Sequence, residues 1–244
     1  MLHLPKLNIA RDEPREVQVF LKLRKWIESG DNERHPGIHA SDLLNPKLSY
    51  WRKKQPKDTT ERQVYFYSIG KILHMLVLSA MRGSTDFTES DTKVGEQLGI
   101  QYSIDHIEEG NPVELKTHRG QREPKPGRIQ EEFTHYLDQL AIYMVMENKL
   151  VGELWVLFIN LLNEAGKTFP EVRCYRVEMT EEQFYEVERQ VVATREALED
   201  AIEQDDPRGL EHCISWLCST NCAYWSQCKP PGRWPSTVKK LWTS

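Results

Sequence analysis

Three residues near the middle of the chain have the types and the spacing for work on a phosphodiester. They are Asp105, in SIDHI, and Glu114 and Lys116, in VELKT. Both segments lie in strand-like patterns, LGIQYSIDHI from Leu98 to Ile107 and PVELKTH from Pro112 to His118. Glu108, Glu109, Gly110 and Asn111 connect them, which is hairpin chemistry. A four-residue connection pairs Ile107 with Pro112 and sets Asp105 opposite Glu114. Directly opposed residues share a face, with Cβ atoms roughly 4.5–5.5 Å apart. Two like charges there destabilise a sheet unless something offsets them. A hard divalent cation, Mg²⁺ or Mn²⁺, does so with oxygen ligands. Lys116 is two residues beyond Glu114 and projects from the same strand face. Such a set suits metal-assisted phosphodiester hydrolysis. The cation polarises the phosphate and activates water, and the ammonium orients that water or stabilises developing negative charge. The competing reading is a solvated strand face with an incidental ion pair.

A second group is formed by cysteine. Four of the five cysteines, Cys213, Cys218, Cys222 and Cys228, fall in HCISWLCSTNCAYWSQC. Close spacing lets several thiolates converge on one centre. Both zinc and an iron–sulfur cluster accept four thiolates, and spacing alone does not separate them. Buried free thiols are the plainer alternative. Cys174 stands apart in an alternating stretch, VRCYRVEM, and reads as a strand residue.

Helices supply further candidates. His74, in GKILH, can reach the carboxylate centre from its helix, although a lone histidine on an apolar helix is more often a core residue. Gln139 and Tyr143, in QLAIY, are one turn apart. His106 points away from Asp105 by strand alternation, whereas His118 shares the face of Lys116. Basic residues gather in two places, the run Lys47, Arg52, Lys53, Lys54, Lys57 and the loop RGQREPKPGR with Arg119 and Arg122. Either can follow phosphates, and either can equally be a solvated surface.

The elements that must position these groups follow from periodicity. A first helix is expected from Pro14 to Ser29, with Asp12 as its cap. Ser41 and Asp42 open a short helix that ends in the basic run, and a stronger helix runs from about Thr60 to Gly83. A weak strand near Thr92 to Val94 precedes the hairpin. The basic loop leads into a helix from Gln130 to Asn148, then two strands, GELWVLFINL and FPEVRCYRVEM, joined by NEAGK. Thr180 and Gln183 form a capping box for a long helix to about Gln204. This order predicts an α/β fold, a central mixed sheet flanked by helices. Residues 1–40 read as an N-terminal helical segment, 41–204 as the core and 205–244 as a cysteine-rich segment.

Composition bounds these readings. The 244 residues include 32 Lys+Arg against 37 Asp+Glu, a net charge of −5, which excludes a histone-like binder. Hydrophobic residues make up 39%, enough for a core. No apolar run approaches the ~20 residues of a membrane span. The N-terminal stretch lacks the apolar centre of a signal peptide. The expectation is a soluble, intracellular chain with no membrane partner, where structural disulfides are uncommon.

Taken together, GKILH, SIDHI, VELKT and QLAIY occur in an order and spacing that resembles the PD-(D/E)XK (restriction-endonuclease-like) superfamily, in its RecB-like branch. With the cysteines, the chain is similar to the CRISPR-associated iron–sulfur exonucleases and AddB-type nuclease domains, over roughly Ser41 to Cys228. The resemblance implies a metal-dependent exonuclease on DNA that is single-stranded or has free ends. It implies that His74, Asp105 and Glu114 bind Mg²⁺ or Mn²⁺, with the backbone carbonyl of Leu115 as a further ligand. It makes Lys116 the catalytic lysine and gives Gln139 and Tyr143 a role in holding DNA and the site's geometry. It implies a [4Fe–4S] cluster rather than zinc. The family's first cluster cysteine is expected where Asn45 stands, so Cys213 becomes the natural fourth ligand beside Cys218, Cys222 and Cys228. Related nucleases assemble into rings or join helicases, which leaves a homo-oligomer, or a recombination or CRISPR-adaptation partner, open. A non-catalytic DNA-binding or assembly module and a restriction-type endonuclease are the alternatives.

Overall fold

The computed structural model describes residues 37–57, 61–81, 93–125, 128–162, 166–211 and 222–228. The chain divides into two units, residues 1–35 with 58–72, and residues 36–57 with 73–244. The helix expected at Pro14 to Ser29 lies outside the described residues. Along the described chain the elements are β1 (Ile38–His39), α1 (Ala40–Leu43), α2 (Pro46–Lys54), α3 (Glu61–Met81), β2 (Lys93–Gln97), β3 (Ile100–Ile104), β4 (His106–Glu108) and β5 (Asn111–His118). They continue with α4 (Ile129–Glu132), α5 (Thr134–Met146), β6 (Val151–Leu162), β7 (Thr168–Glu178), α6 (Glu181–Glu203) and α7 (Trp225–Cys228).

In the first unit the described residues form the N-terminal part of α3. There Ser68 Oγ donates back to the Val64 carbonyl at 2.8 Å, a local bond that satisfies a hydroxyl within the helix.

The second unit holds two sheets. One has the order β1-β3-β2, the other β4-β5-β6-β7. In the second sheet β5 and β6 are parallel and the remaining pairs antiparallel, so the expected mixed sheet is present. The expected strand Leu98 to Ile107 is instead three pieces of chain. Leu98 and Gly99 take positive φ (55° and 70°) in the turn between β2 and β3, a backbone that two-residue hairpins require. Asp105 then bends the chain out of the first sheet and into the second. The β4–β5 hairpin is tighter than expected. Glu108 pairs with Asn111, leaving only Glu109 and Gly110 in the turn, at φ 50° and 80°. The register is unchanged, because Ile107 still faces Pro112.

Helices cover the second sheet on both faces. On one face Leu140 and Met144 of α5 and Val187, Val191 and Leu198 of α6 pack with Leu154, Val156 and Phe158 of β6. On the other, Val77 and Leu78 of α3 meet Val113, Leu115 and Trp155. The helix expected from Gln130 is interrupted at Phe133 (φ −107°, ψ 18°), which is buried beside His118 and Phe158. Burying that ring takes its backbone out of helical geometry and separates α4 from α5. At α6 the capping box forms as expected. Gln183 N–H donates to Thr180 Oγ1 at 3.3 Å, and Thr180 N–H donates to Gln183 Oε1 at 2.9 Å.

Candidate active site

Strand alternation sorts β5 into two faces. Val113 and Leu115 point to the α3 side, so Glu114 and Lys116 point to the α5 side. In the parallel register Glu114 lies beside Leu154 and Lys116 beside Val156. This row continues into β7, where Leu154 faces Tyr175 and Val156 faces Arg173.

Asp105 reaches the row by a different route from the one its spacing suggested. The β4–β5 ladder ends at His106 and Val113, and β3 has already left to pair with β2, with Ile104 facing Lys93. Leu115 N–H therefore lacks a strand carbonyl on that side, and Asp105 Oδ2 takes its place at 2.8 Å. The carboxylate enters from the end of the ladder rather than standing across it from Glu114. In a strand the N–H and C=O of one residue open to the same side, so the Leu115 carbonyl also opens toward Asp105.

Glu114 is fully buried. It forms an ion pair with Lys116. Burial pushes the Glu114 carboxyl up to about 8; Lys116 works against this, and the neighbouring Asp105 charge adds to it. Burial depresses the Lys116 ammonium, but Glu114 and Asp105 outweigh it and hold the group above its ordinary value. The three residues predicted to act together are thus brought together in one electrostatic unit.

Other expected members are placed as follows. Gln139 Nε2 donates to Tyr143 Oη at 2.8 Å on α5, so the one-turn pairing forms. His118 packs edge-on against Phe133 and Phe158, with ring centroids 5.3 and 5.2 Å away. His106 lies on the opposite face, 5.6 Å from the Trp155 ring and 3.1 Å from Glu108. His74 is half-buried in α3. Among the described residues no group of three or more His, Cys, Asp or Glu side chains is arranged to hold a metal ion.

Two residues that the motifs passed over interact with the site. His135 and Tyr136 both feel the Lys116 charge, and Tyr136 also feels Glu114. Burial, and to a lesser degree Lys116, push the His135 imidazole down to about 4. Tyr136 stacks on Phe133 at 5.5 Å. The signal was available in helical spacing, since Tyr136, Gln139 and Tyr143 fall at i, i+3 and i+7 on one face of α5.

The donor set fits a hard cation. A buried carboxylate beside a second carboxylate, with a backbone carbonyl opening nearby, is an oxygen-rich arrangement whose charge a divalent ion would offset. The residues that would hold it are Asp105, Glu114 and the Leu115 carbonyl.

The basic run of α2 is largely engaged within the protein. Lys47 is buried, Lys53 bonds the Gly37 carbonyl at 2.7 Å and Asp42 at 3.1 Å, and Lys54 pairs with Asp205 at 3.0 Å. These contacts stabilise the last turn of α2. Arg52 is exposed there, and so are Arg119 and Arg122 in the loop after β5.

Of the cysteine cluster, Cys213 and Cys218 lie outside the described residues. Cys228 is buried and Cys222 half-buried. They pack with Tyr224 against Leu48 and Trp51 of α2, and Tyr224 Oη donates to the Gln55 carbonyl at 2.9 Å. Asn45 caps the start of α2, and its buried Oδ1 has no hydrogen-bond partner. Cys174 is exposed in β7, a strand residue as expected.

No protein-family model matches the chain, and no curated protein matches it. Among solved structures the fold is similar to that of the protein SSO0001, with a TM-score of 0.56 and 18% identity, over 87% of this chain and 95% of that one. Two others align less closely. A phage-related exonuclease from Haemophilus somnus 129PT gives a TM-score of 0.40 at 12% identity, covering 71% of this chain and 98% of its own. An alkaline exonuclease from Laribacter hongkongensis gives 0.32 at 14%, covering 69% and 90%.

Proposed function

We propose that this chain is a divalent-metal-dependent deoxyribonuclease, an exonuclease on single-stranded or end-exposed DNA, with a [4Fe–4S] cluster on Cys213, Cys218, Cys222 and Cys228. The observation that carries the reading is the fully buried Glu114 carboxylate, ion-paired with Lys116 and beside Asp105. A buried carboxylate beside a second one is costly unless compensated, and Mg²⁺ or Mn²⁺ would compensate it while placing a Lewis acid at a phosphate. When bound, that ion would polarise the scissile phosphate and lower the pKa of the attacking water.

The protein's own groups do the rest. Asp105, Glu114 and the Leu115 carbonyl would hold the cation, with His74 as the ligand that the motif order suggests. Lys116 orients the water and steadies the charge that develops on the phosphate oxygens. Tyr143, bonded by Gln139, steadies α5 beside the site, and Arg119 and Arg122 meet the phosphates of the incoming strand.

End-labelled single and double strands and a covalently closed circle, incubated with Mg²⁺ or Mn²⁺, test the reading. Labelled ends should shorten, EDTA should stop the reaction, and the closed circle should survive. Glu114→Ala and Lys116→Ala should each lose at least about 10²-fold in rate. Full activity in both variants would sink the assignment. Binding without cleavage in every metal would favour an assembly module, and cutting of the circle a restriction-type endonuclease.

A further inference from the structure

The loop that leaves β5 does not simply turn away from the sheet. Its Gln121 carbonyl accepts Leu162 N–H at 2.9 Å, fixing it to the end of β6. Two residues on, the Glu123 carboxylate accepts Arg173 Nε at 3.0 Å on one oxygen and Tyr175 Oη at 2.8 Å on the other. Arg173 and Tyr175 belong to β7, in the same cross-strand rows as Lys116 and Glu114 respectively. Neighbouring strands are about 4.8 Å apart. The loop therefore passes over two strands on the face that carries the candidate catalytic residues. Between its two anchors it displays Arg122 to solvent. A short segment that rises from β5, is tied to β6 and β7 and presents a guanidinium has the form of a strap.

We propose that Glu123 is a positioning residue: by tying this strap to Arg173 and Tyr175 it holds Arg122 where the phosphates of the DNA strand enter. The inference rests on the nuclease reading above. It carries an unusual sign. Glu123 is an acid beside a path for a polyanion, so removal of its charge alone would strengthen DNA binding. Loss of the strap would weaken binding, because the loop must then be ordered by the DNA itself.

The test compares Glu123→Ala, Glu123→Gln and wild type for KM and kcat on end-labelled single-stranded DNA with Mn²⁺, and for Kd by fluorescence anisotropy in EDTA. Thermal melts check that each variant is folded. Glutamine keeps one carbonyl oxygen to accept Arg173 Nε, and its amide N–H can donate to the Tyr175 hydroxyl, which also accepts. E123Q should bind DNA within about twofold of wild type, whereas E123A should raise KM and Kd about three- to tenfold with little change in kcat. If E123A does not fold, Tyr175→Phe, which removes one hydroxyl, should raise KM in the same direction by less. Tighter binding by both E123A and E123Q, or an E123A defect confined to kcat, overturns the proposal while leaving the nuclease reading standing. Wild type that neither binds nor cuts DNA overturns both.

Discussion

Burial raises the Glu114 carboxyl from an ordinary 4.5 to about 8. Between those values the folded chain keeps a proton that the unfolded chain has released. Stability should therefore fall as pH rises through this window and level off above it, by up to about 1.4 kcal/mol per pH unit for one group. Melting of metal-free protein across pH 5 to 9 should show the slope, and Glu114→Gln should flatten it. A wild-type profile as flat as that of the variant would remove the argument. Asp105 has a double duty that substitutions can separate. Asp105→Asn retains an acceptor for Leu115 N–H and should melt close to wild type while losing nuclease activity. Asp105→Ala should lose activity and also about 1–3 kcal/mol of stability, since it leaves a backbone donor unpaired.

Between the residue and the fold lie the hairpins that set the register. Both β2–β3 and β4–β5 turn through two residues with positive φ, Leu98 with Gly99 and Glu109 with Gly110. The right-handed twist of the strands favours that geometry. Beside the first turn, Gly95 faces Tyr102, and a Cβ there would come within 2.5 Å of the Tyr102 hydroxyl. The ring covers the bare glycine and extends its hydroxyl to Glu147 at 2.9 Å, at the end of α5. Gly95→Ala should displace the ring, break that bond and cost about 1–3 kcal/mol in urea unfolding. A loss below a few tenths would mean that the ring moves aside freely. The break between α4 and α5 at Phe133 belongs to the same scale. A buried aromatic ring ends one helix and starts the next, and this sets the entry of α5 over β5.

At the scale of the molecule, the site sits where one stretch of chain passes between two sheets. β3 serves the first sheet, β4 the second, and Asp105 is the corner. The cysteine segment adds a second anchorage, with Cys222, Tyr224 and Cys228 seated on α2. If that segment carries the proposed cluster, anaerobically purified protein should be brown with about four irons per chain, and Cys228→Ser should lose both colour and part of its stability. Colourless protein with about one zinc per chain would replace that reading. Among the described residues no helix is long and apolar enough to cross a membrane.

Local chemistry alone determined much of this. Alternating strands, the capping box at Thr180, the Ile107–Pro112 register and the grouping of Asp105, Glu114 and Lys116 all follow from contacts between residues near in sequence. Period, turn length and side-chain type specify such contacts. What they could not specify was the bend at Asp105, because the competing partner of β3 is β2 and the choice is made by the whole sheet. Nor could they show that Lys47, Lys53 and Lys54 are held by burial or by Gly37, Asp42 and Asp205, or that His135 and Tyr136 face Lys116. The crossing of Glu123 to β7 likewise joins residues fifty positions apart. Charge and spacing say what a residue can do, and only the packing of distant segments decides which neighbour it does it with.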